Sequence, residues 1–333
     1  MDTKHANGTH PRRFVRRFGA RRRQCGKCKH TWRIRQKKRG RKLVRASPTL
    51  VTRYFSKDLP NLRTFARRAH VGKDHAQLLL RRSAVAYARG AADWYAALPV
   101  AGACILIADA IWYRVRGKKQ TIYVLLVRPV DGIEAVIVPP VVCEGHESID
   151  GWEAAYRTLP ESLKRRICAL VCDGGTGLVA LARRKHLLLQ RCQFHLLCAV
   201  QNYLTTGPRS QNRIHAMTVL TLVQRVVSTP ENEAQKAMHA LGEVYRVARS
   251  RGLRRVLGGL RLHWRGYRTY LAHPKLRLPA TSNTAESCIQ GIRDLMYRCR
   301  GFRTTSSLTL WLTAFARFKK TIRCNGKSTK LNH

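Results

Sequence analysis

The run Ile167–Cys172 is apolar throughout and ends at Asp173-Gly174-Gly175, after which helical spacing begins. A short apolar segment that meets an acid and a glycine turn before a helix reads as a buried strand of an α/β sheet. Asp173 then has two readings. It caps the helix beginning near Thr176, or it is presented at the strand's C-terminal end as a metal ligand. The chain carries 64 Lys and Arg against 18 Asp and Glu, so the placement of each acid can be weighed in turn.

A formal charge of +46 exceeds what solubility needs and points to a polyanionic partner, nucleic acid first, with counterion release supplying much of the affinity. A membrane surface fits less well, because no long basic amphipathic helix stands out. The longest apolar stretch, Ala96–Ala108, contains Pro99, stops at Asp109 and is too short to cross a bilayer. No apolar signal core follows the basic N-terminus. The eleven cysteines, scattered through apolar segments, fit a reducing compartment. The expected location is the cytoplasm, in association with the nucleoid.

Residues 1–48 form a basic arm in which Cys25-x-x-Cys28 is one knuckle of a degenerate zinc ribbon. No second Cys pair follows; His5, His10 and His30 could complete a zinc site, and a disordered DNA-binding arm is the alternative. Residues 49–95 read as a helix-turn-helix, broken at Val71-Gly72, with 73–82 as the recognition helix. Arg21, Arg22, Arg23, Arg33, Lys37, Lys38, Arg39, Lys73, Arg81 and Arg82 are the expected DNA contacts in these two regions.

From residue 100 to 322 the pattern changes to α/β. Strands at 103–113, 121–127 and 133–139 are followed by an amphipathic helix at 149–159, with Trp152, Ala155 and Tyr156 on one face. The strand 167–172, a helix at 178–184 and a short strand at 187–190 come next. A helical insertion occupies about 196–280, its basic faces suited to tracking phosphates. Two helices, 282–299 and 306–322, precede a polar tail at 323–333. Three antiparallel strands, a crossover helix, then strand, helix and strand is the ribonuclease-H-like order, which places the first and fourth strands side by side.

That order makes Asp109 and Asp173 neighbours. A lone buried acid such as Asp109 is poorly explained by stability. Paired carboxylates sharing two divalent ions suit phosphoryl transfer, and oxygen-only ligation implies Mg²⁺ or Mn²⁺. Elimination supplies a third acid. Glu231, Glu233 and Glu243 lie in the basic helical stretch as ordinary partners of Arg and Lys, whereas Glu286 opens a helix after Ser282 and Asn283. Asp294, further along the same helix, is a weaker substitute.

Four segments then resemble the Mutator-like (MULE-type) DDE transposases, a group that includes many bacterial insertion sequences. They are Gly145-His-Glu-Ser148 with Trp152, Leu170–Leu178 around Asp173, Gln190-Arg-Cys-Gln-Phe-His195, and Thr281–Ser287 followed by Arg300-Gly301. The resemblance implies a ribonuclease-H-like core, Asp109, Asp173 and Glu286 as metal ligands, and action on transposon ends. It also implies a dimer or larger assembly. Cys192 and His195 carry over as signature residues, either half of a metal site or packing beneath the active site. The expected activity is metal-dependent DNA cleavage and strand transfer. The rivals are a ribonuclease-H-like nuclease or resolvase, and a catalytically silent DNA-binding regulator.

Overall fold

A computed structural model of the chain describes residues 15–17, 22–26, 29, 31–33, 48–56, 58–59, 61–90, 102–204, 212–248 and 250–324. They fall into two compact units, one within Met1–Ala46 and one within Ser47–His333. In the first, β1 (Val15–Arg17), β2 (Arg22–Cys25) and β3 (Thr31–Arg33) pair antiparallel in that order. The described part is thus a small three-stranded sheet. Cys25 is buried on β2, and Arg22, Arg23 and Arg33 sit on strands. Cys28, His5, His10, His30, Arg21, Lys37, Lys38 and Arg39 lie outside the described residues.

The second unit opens with α1 (Pro48–Phe55), α2 (Leu62–Arg68) and α3 (Lys73–Arg89). Asn61 caps α2 by accepting the Thr64 N–H at 2.9 Å. The turn into α3 is made at His70, which takes a left-handed φ of 51°, rather than at Gly72. The second helix also runs on to Arg89, past the expected end at 82, because Leu79, Leu80 and Ala84 supply a continuous buried stripe.

A long hairpin follows, β4 (Cys104–Val115) and β5 (Lys118–Pro129). Its two-residue turn, Arg116-Gly117, has φ of 50° and 82°, the double left-handed geometry that matches strand twist. The third strand expected at 133–139 is present as β6 (Glu134–Ile137), and a further strand not expected from the sequence, β7 (Val141–Glu144), follows; both are antiparallel to β5. Pro139 and Pro140, which lack N–H donors, separate the two. Then come α4 (Ile149–Arg157), α5 (Glu161–Lys164), β8 (Ile167–Cys172) parallel to β4, α6 (Thr176–Arg184), and β9 (Leu188–Arg191) parallel to β8.

Four helices, α7 (Gln193–Leu204), α8 (Asn212–Ser228), α9 (Glu231–Val247) and α10 (Arg251–His263), enclose a core of their own around Val200, Val223, Leu241 and Leu257. After the short α11 (Thr269–Ala272) the chain returns through α12 (Asn283–Arg298) and α13 (Thr305–Lys319). The last helix stops at Lys319, short of the expected 322. Lys320 turns left-handed, and β10 (Thr321–Arg323) closes the sheet edge against β6. The class is mixed α/β, with a mixed sheet in the order β10-β6-β5-β4-β8-β9 and β7 also on β5.

One sheet face carries Leu106, Ala108, Tyr123, Leu125 and Leu170 under α4 and α6. Trp152, Ala155 and Tyr156 are buried there as the helical period requires. A Cβ on Gly151 would overlap the Tyr123 ring, so α4 lies against β5 only with glycine at that position. The opposite face lies toward α12. Phe55 of α1 stacks on Trp311 of α13, with ring centroids 5.7 Å apart, and meets Phe318 at 5.2 Å. The opening helices are therefore bound into the same unit as the sheet. Among the described residues, no helix is long and apolar enough to cross a membrane.

Candidate functional site

The central strands set the first two acids by register. β4 and β8 run parallel, with Ile107 opposite Val171. Two residues further on, with the same facing, come Asp109 and Asp173. Asp109 shares the pleat face of Ile105 and Ile107, away from the Leu106 and Ala108 core. Asp173 stands just past the end of β8, and its Oδ1 accepts the Gly175 N–H at 2.8 Å. It does not cap α6, whose N-cap is Gly175 with no side-chain bond. The capping reading of Asp173 is replaced by a local turn that fixes one carboxylate oxygen.

Glu286 arrives on the first turn of α12, which packs against β4. One ligand atom each from Asp109, His195 and Glu286 lies within 4.8 Å of the others, a set able to hold a metal ion. His195 Nε2 is 3.4 Å from Glu286 Oε1. Asp173 is outside that trio but acts on it, since its charge and that of Glu286 both raise the Asp109 pKa. Burial is the larger cause, and together they bring Asp109 up to about 6 although the Ala110 N–H opposes them. The donor set is thus wider than the oxygen-only set expected, because an imidazole joins two carboxylates. Asp294 hydrogen-bonds Gln290 at 2.9 Å and is not part of the group. Glu231, Glu233 and Glu243 each face an Arg or Lys.

The segment Gln190–His195 joins three parts of the unit. Gln190 and Gln193 both donate to the Tyr267 carbonyl, at 3.1 and 3.0 Å, tying the helical insertion to the sheet edge. The Gln193 N–H donates to Ala280 at 3.0 Å, and buried Cys192 Sγ accepts the Ser282 N–H at 3.2 Å. These bonds hold the loop that leads into the Glu286 helix. His195 then faces Glu286 from α7. Its pKa is raised to about 9, first by Cys192, with burial acting the other way and Asp109 and Glu286 adding attraction. Its buried Nδ1 has no partner at strict hydrogen-bond geometry. Burial opposes ionisation of Cys192, yet His195 and Ser282 outweigh it and hold the thiol below its ordinary range.

Two neighbours of Asp173 went unassigned in the sequence. Trp152 Nε1 donates to Glu147 Oε1 at 2.8 Å, and a Cβ on Gly175 would lie 3.4 Å from that oxygen and 3.3 Å from Asp173 Oδ1. Glycine is thus what allows both carboxylates to approach the turn. Arg191 donates to the Gly174 carbonyl at 3.2 Å, and a side chain at Gly174, where φ is 89°, would strike its guanidinium. The Gly-x-Glu-Ser…Trp spacing was the only sequence signal for Glu147, and the Gln-Arg-Cys run the only one for Arg191. Of the expected DNA contacts, Lys73, Arg81 and Arg82 are exposed on α3, and the first two line a groove with Arg300 and Arg303.

No protein-family model matches the chain, and no curated protein matches it either. Function therefore rests on the geometry of the acid cluster and its surroundings.

Proposed function

We propose that the chain is a DDE-type DNA transposase, cleaving the ends of a mobile element and joining them to target DNA. The observation that carries this is the grouping of Asp109 and Glu286 with His195, and Asp173 close enough for its charge to act on Asp109. The three acids come from the middle of β4, the end of β8 and a distant helix. Parallel pairing of the first strand with the strand after the crossover helix supports a ribonuclease-H-like reading of the core.

The residues present fit a divalent ion. Two carboxylates and an imidazole converge in a cleft that is open to solvent, and Asp173 acts on Asp109 by its charge. Asp109, Asp173 and Glu286 would hold Mg²⁺ or Mn²⁺, and the mixed donor set favours Mn²⁺ more than oxygen ligands alone would. Bound ions would supply the Lewis acidity that in-line displacement at phosphorus needs. The chain's own groups orient that site. His195 holds Glu286 from α7, the Gly175 N–H fixes Asp173, and Arg191 braces the turn beside it. The charge of +46 supports DNA as the substrate, and joining two ends calls for at least a dimer.

The test is strand transfer in vitro with Mg²⁺ or Mn²⁺, using element-end DNA. Asp109→Asn, Asp173→Ala and Glu286→Gln should each abolish joining. Unchanged joining by Asp173→Ala would sink the assignment. Cleavage without joining would favour the nuclease reading, and tight binding without either would favour a silent regulator.

A further inference from the structure

Beyond Ile107 the β8 side of β4 has no paired strand among the described residues, while β7 continues to pair the β5 side of the hairpin. One face of this extension is seated. Tyr113 meets Phe302 edge-on at 6.2 Å, and Gln120 Oε1 accepts from Thr305 Oγ1 at 3.4 Å. On the other face Thr121, the cross-strand partner of Trp112, is buried and donates to the Gly145 carbonyl at 2.7 Å, but Trp112 itself is left uncovered. Trp112 is 61 % exposed, the most exposed of the large apolar side chains on the sheet. Two cations lie over its ring, the Arg114 guanidinium at 5.9 Å and Lys119 Nζ at 5.6 Å.

An indole held out to solvent serves neither packing nor stability, since burial is what makes a large aromatic worth its place. Here it is held rigidly by a two-residue turn and a packed rear face. Arg114 and Lys119 flank it on the same face, and the turn adds Arg116, while Lys118 bridges Glu144 at 3.0 Å on the other side of the hairpin. The patch also reaches toward the turn that holds Asp173. Lys119 Nζ is 3.0 Å from His146 Nδ1, and His146 precedes the Glu147 that lies beside the Asp173 turn. Along β4, Trp112 is three residues from Asp109, about 10 Å of strand rise, and it projects from the opposite face of the sheet.

We infer that the Trp112 face of the hairpin is a stacking platform for unpaired DNA bases, with Arg114 and Lys119 taking the flanking phosphates. The chemistry selects this occupant. An aromatic face with cations over it suits a π-surface attached to a polyanion, and duplex DNA keeps its base faces covered. The inference rests on the DNA reading above, but not on catalysis.

The test is equilibrium binding by the full chain in EDTA, where no cleavage can occur. The probes are oligo(dT), a duplex with a frayed end, and the same duplex fully paired. Trp112→Ala should weaken oligo(dT) and frayed-end binding roughly tenfold, the size of one lost base–aromatic stack, and change paired-duplex binding less than about twofold. Trp112→Phe should recover most of the loss, which a folding defect would not allow. Arg114→Ala with Lys119→Ala should lower the salt slope on oligo(dT) by about 1.4, for two phosphate contacts. Wild-type affinity of Trp112→Ala for oligo(dT), or an equal loss on paired and unpaired DNA, would overturn the proposal. Failed strand transfer by the wild-type chain would sink the catalytic reading and leave these affinities to decide this one.

Discussion

Replacing Asp109 by Asn should stabilise the protein when no metal is bound. The Asp109 carboxyl is held up at about 6 from an ordinary 3.8, mainly by burial, so its ionised form is disfavoured in the fold. That difference corresponds to at most about 3 kcal/mol above pH 6, and solvent access to the cleft reduces it to about 1–2 kcal/mol. The sign follows from linkage. A raised folded-state pKa contributes stability that is fully present below about 3.8 and lost as the pH rises through about 6. In EDTA at pH 7.5, Asp109→Asn should therefore raise the melting temperature by about 2–6 °C, and the gap should close as the pH falls below 5. Metal should reverse the order. At a hundred times its Kd, Mn²⁺ adds about 2.7 kcal/mol to a protein that binds it when folded, and the Asn variant should lose most of this. Scanning calorimetry at two pH values, with and without Mn²⁺, measures all four cases. A lower melting temperature for the variant in EDTA, or a gap independent of pH, would refute the reasoning.

Two further outcomes are expected. In metal-free protein, His195 should titrate near pH 9, and Cys192→Ala should bring its midpoint down, because Cys192 is the largest cause of the rise. The stability this contributes is present below about 6.5 and lost as the pH rises through 9, and NMR of the ring protons reads the midpoint directly. Phe55→Ala should cost about 3–5 kcal/mol by emptying the fully buried contact with Trp311 and Phe318, measured by urea unfolding. If α1–α3 were loosely attached to the sheet, that cost would fall below about 1 kcal/mol.

Much of the architecture could be read without the structure, wherever a local pattern carries it. The strand Ile167–Cys172 has the limits its apolar run suggested, and the Trp152 face of α4 is buried as its spacing requires. The acids were accessible for another reason: with so few in a basic chain, an Asp inside an apolar strand or a Glu without a basic neighbour stands out. The elements that escaped depend on partners far away in sequence. Residues 321–323 become a strand only because β6 leaves an edge open to them. His195 stood out in the sequence only as part of a Cys-x-x-His signature, and its neighbour could not be read there, because Glu286 is supplied by a helix on the other side of the insertion.

The sequence by itself determined the α/β pattern, the basic surface and the short list of acids, since hydrophobic period and charge are properties of neighbouring residues. Only the tertiary structure decided that His195 joins Asp109 and Glu286, that Asp173 bonds its own turn instead of capping a helix, and that Trp112 stands bare among cations. Each of these depends on strand register or on which helix returns to the sheet. Such placements are set by packing across the whole unit, and no stretch of adjacent residues encodes them.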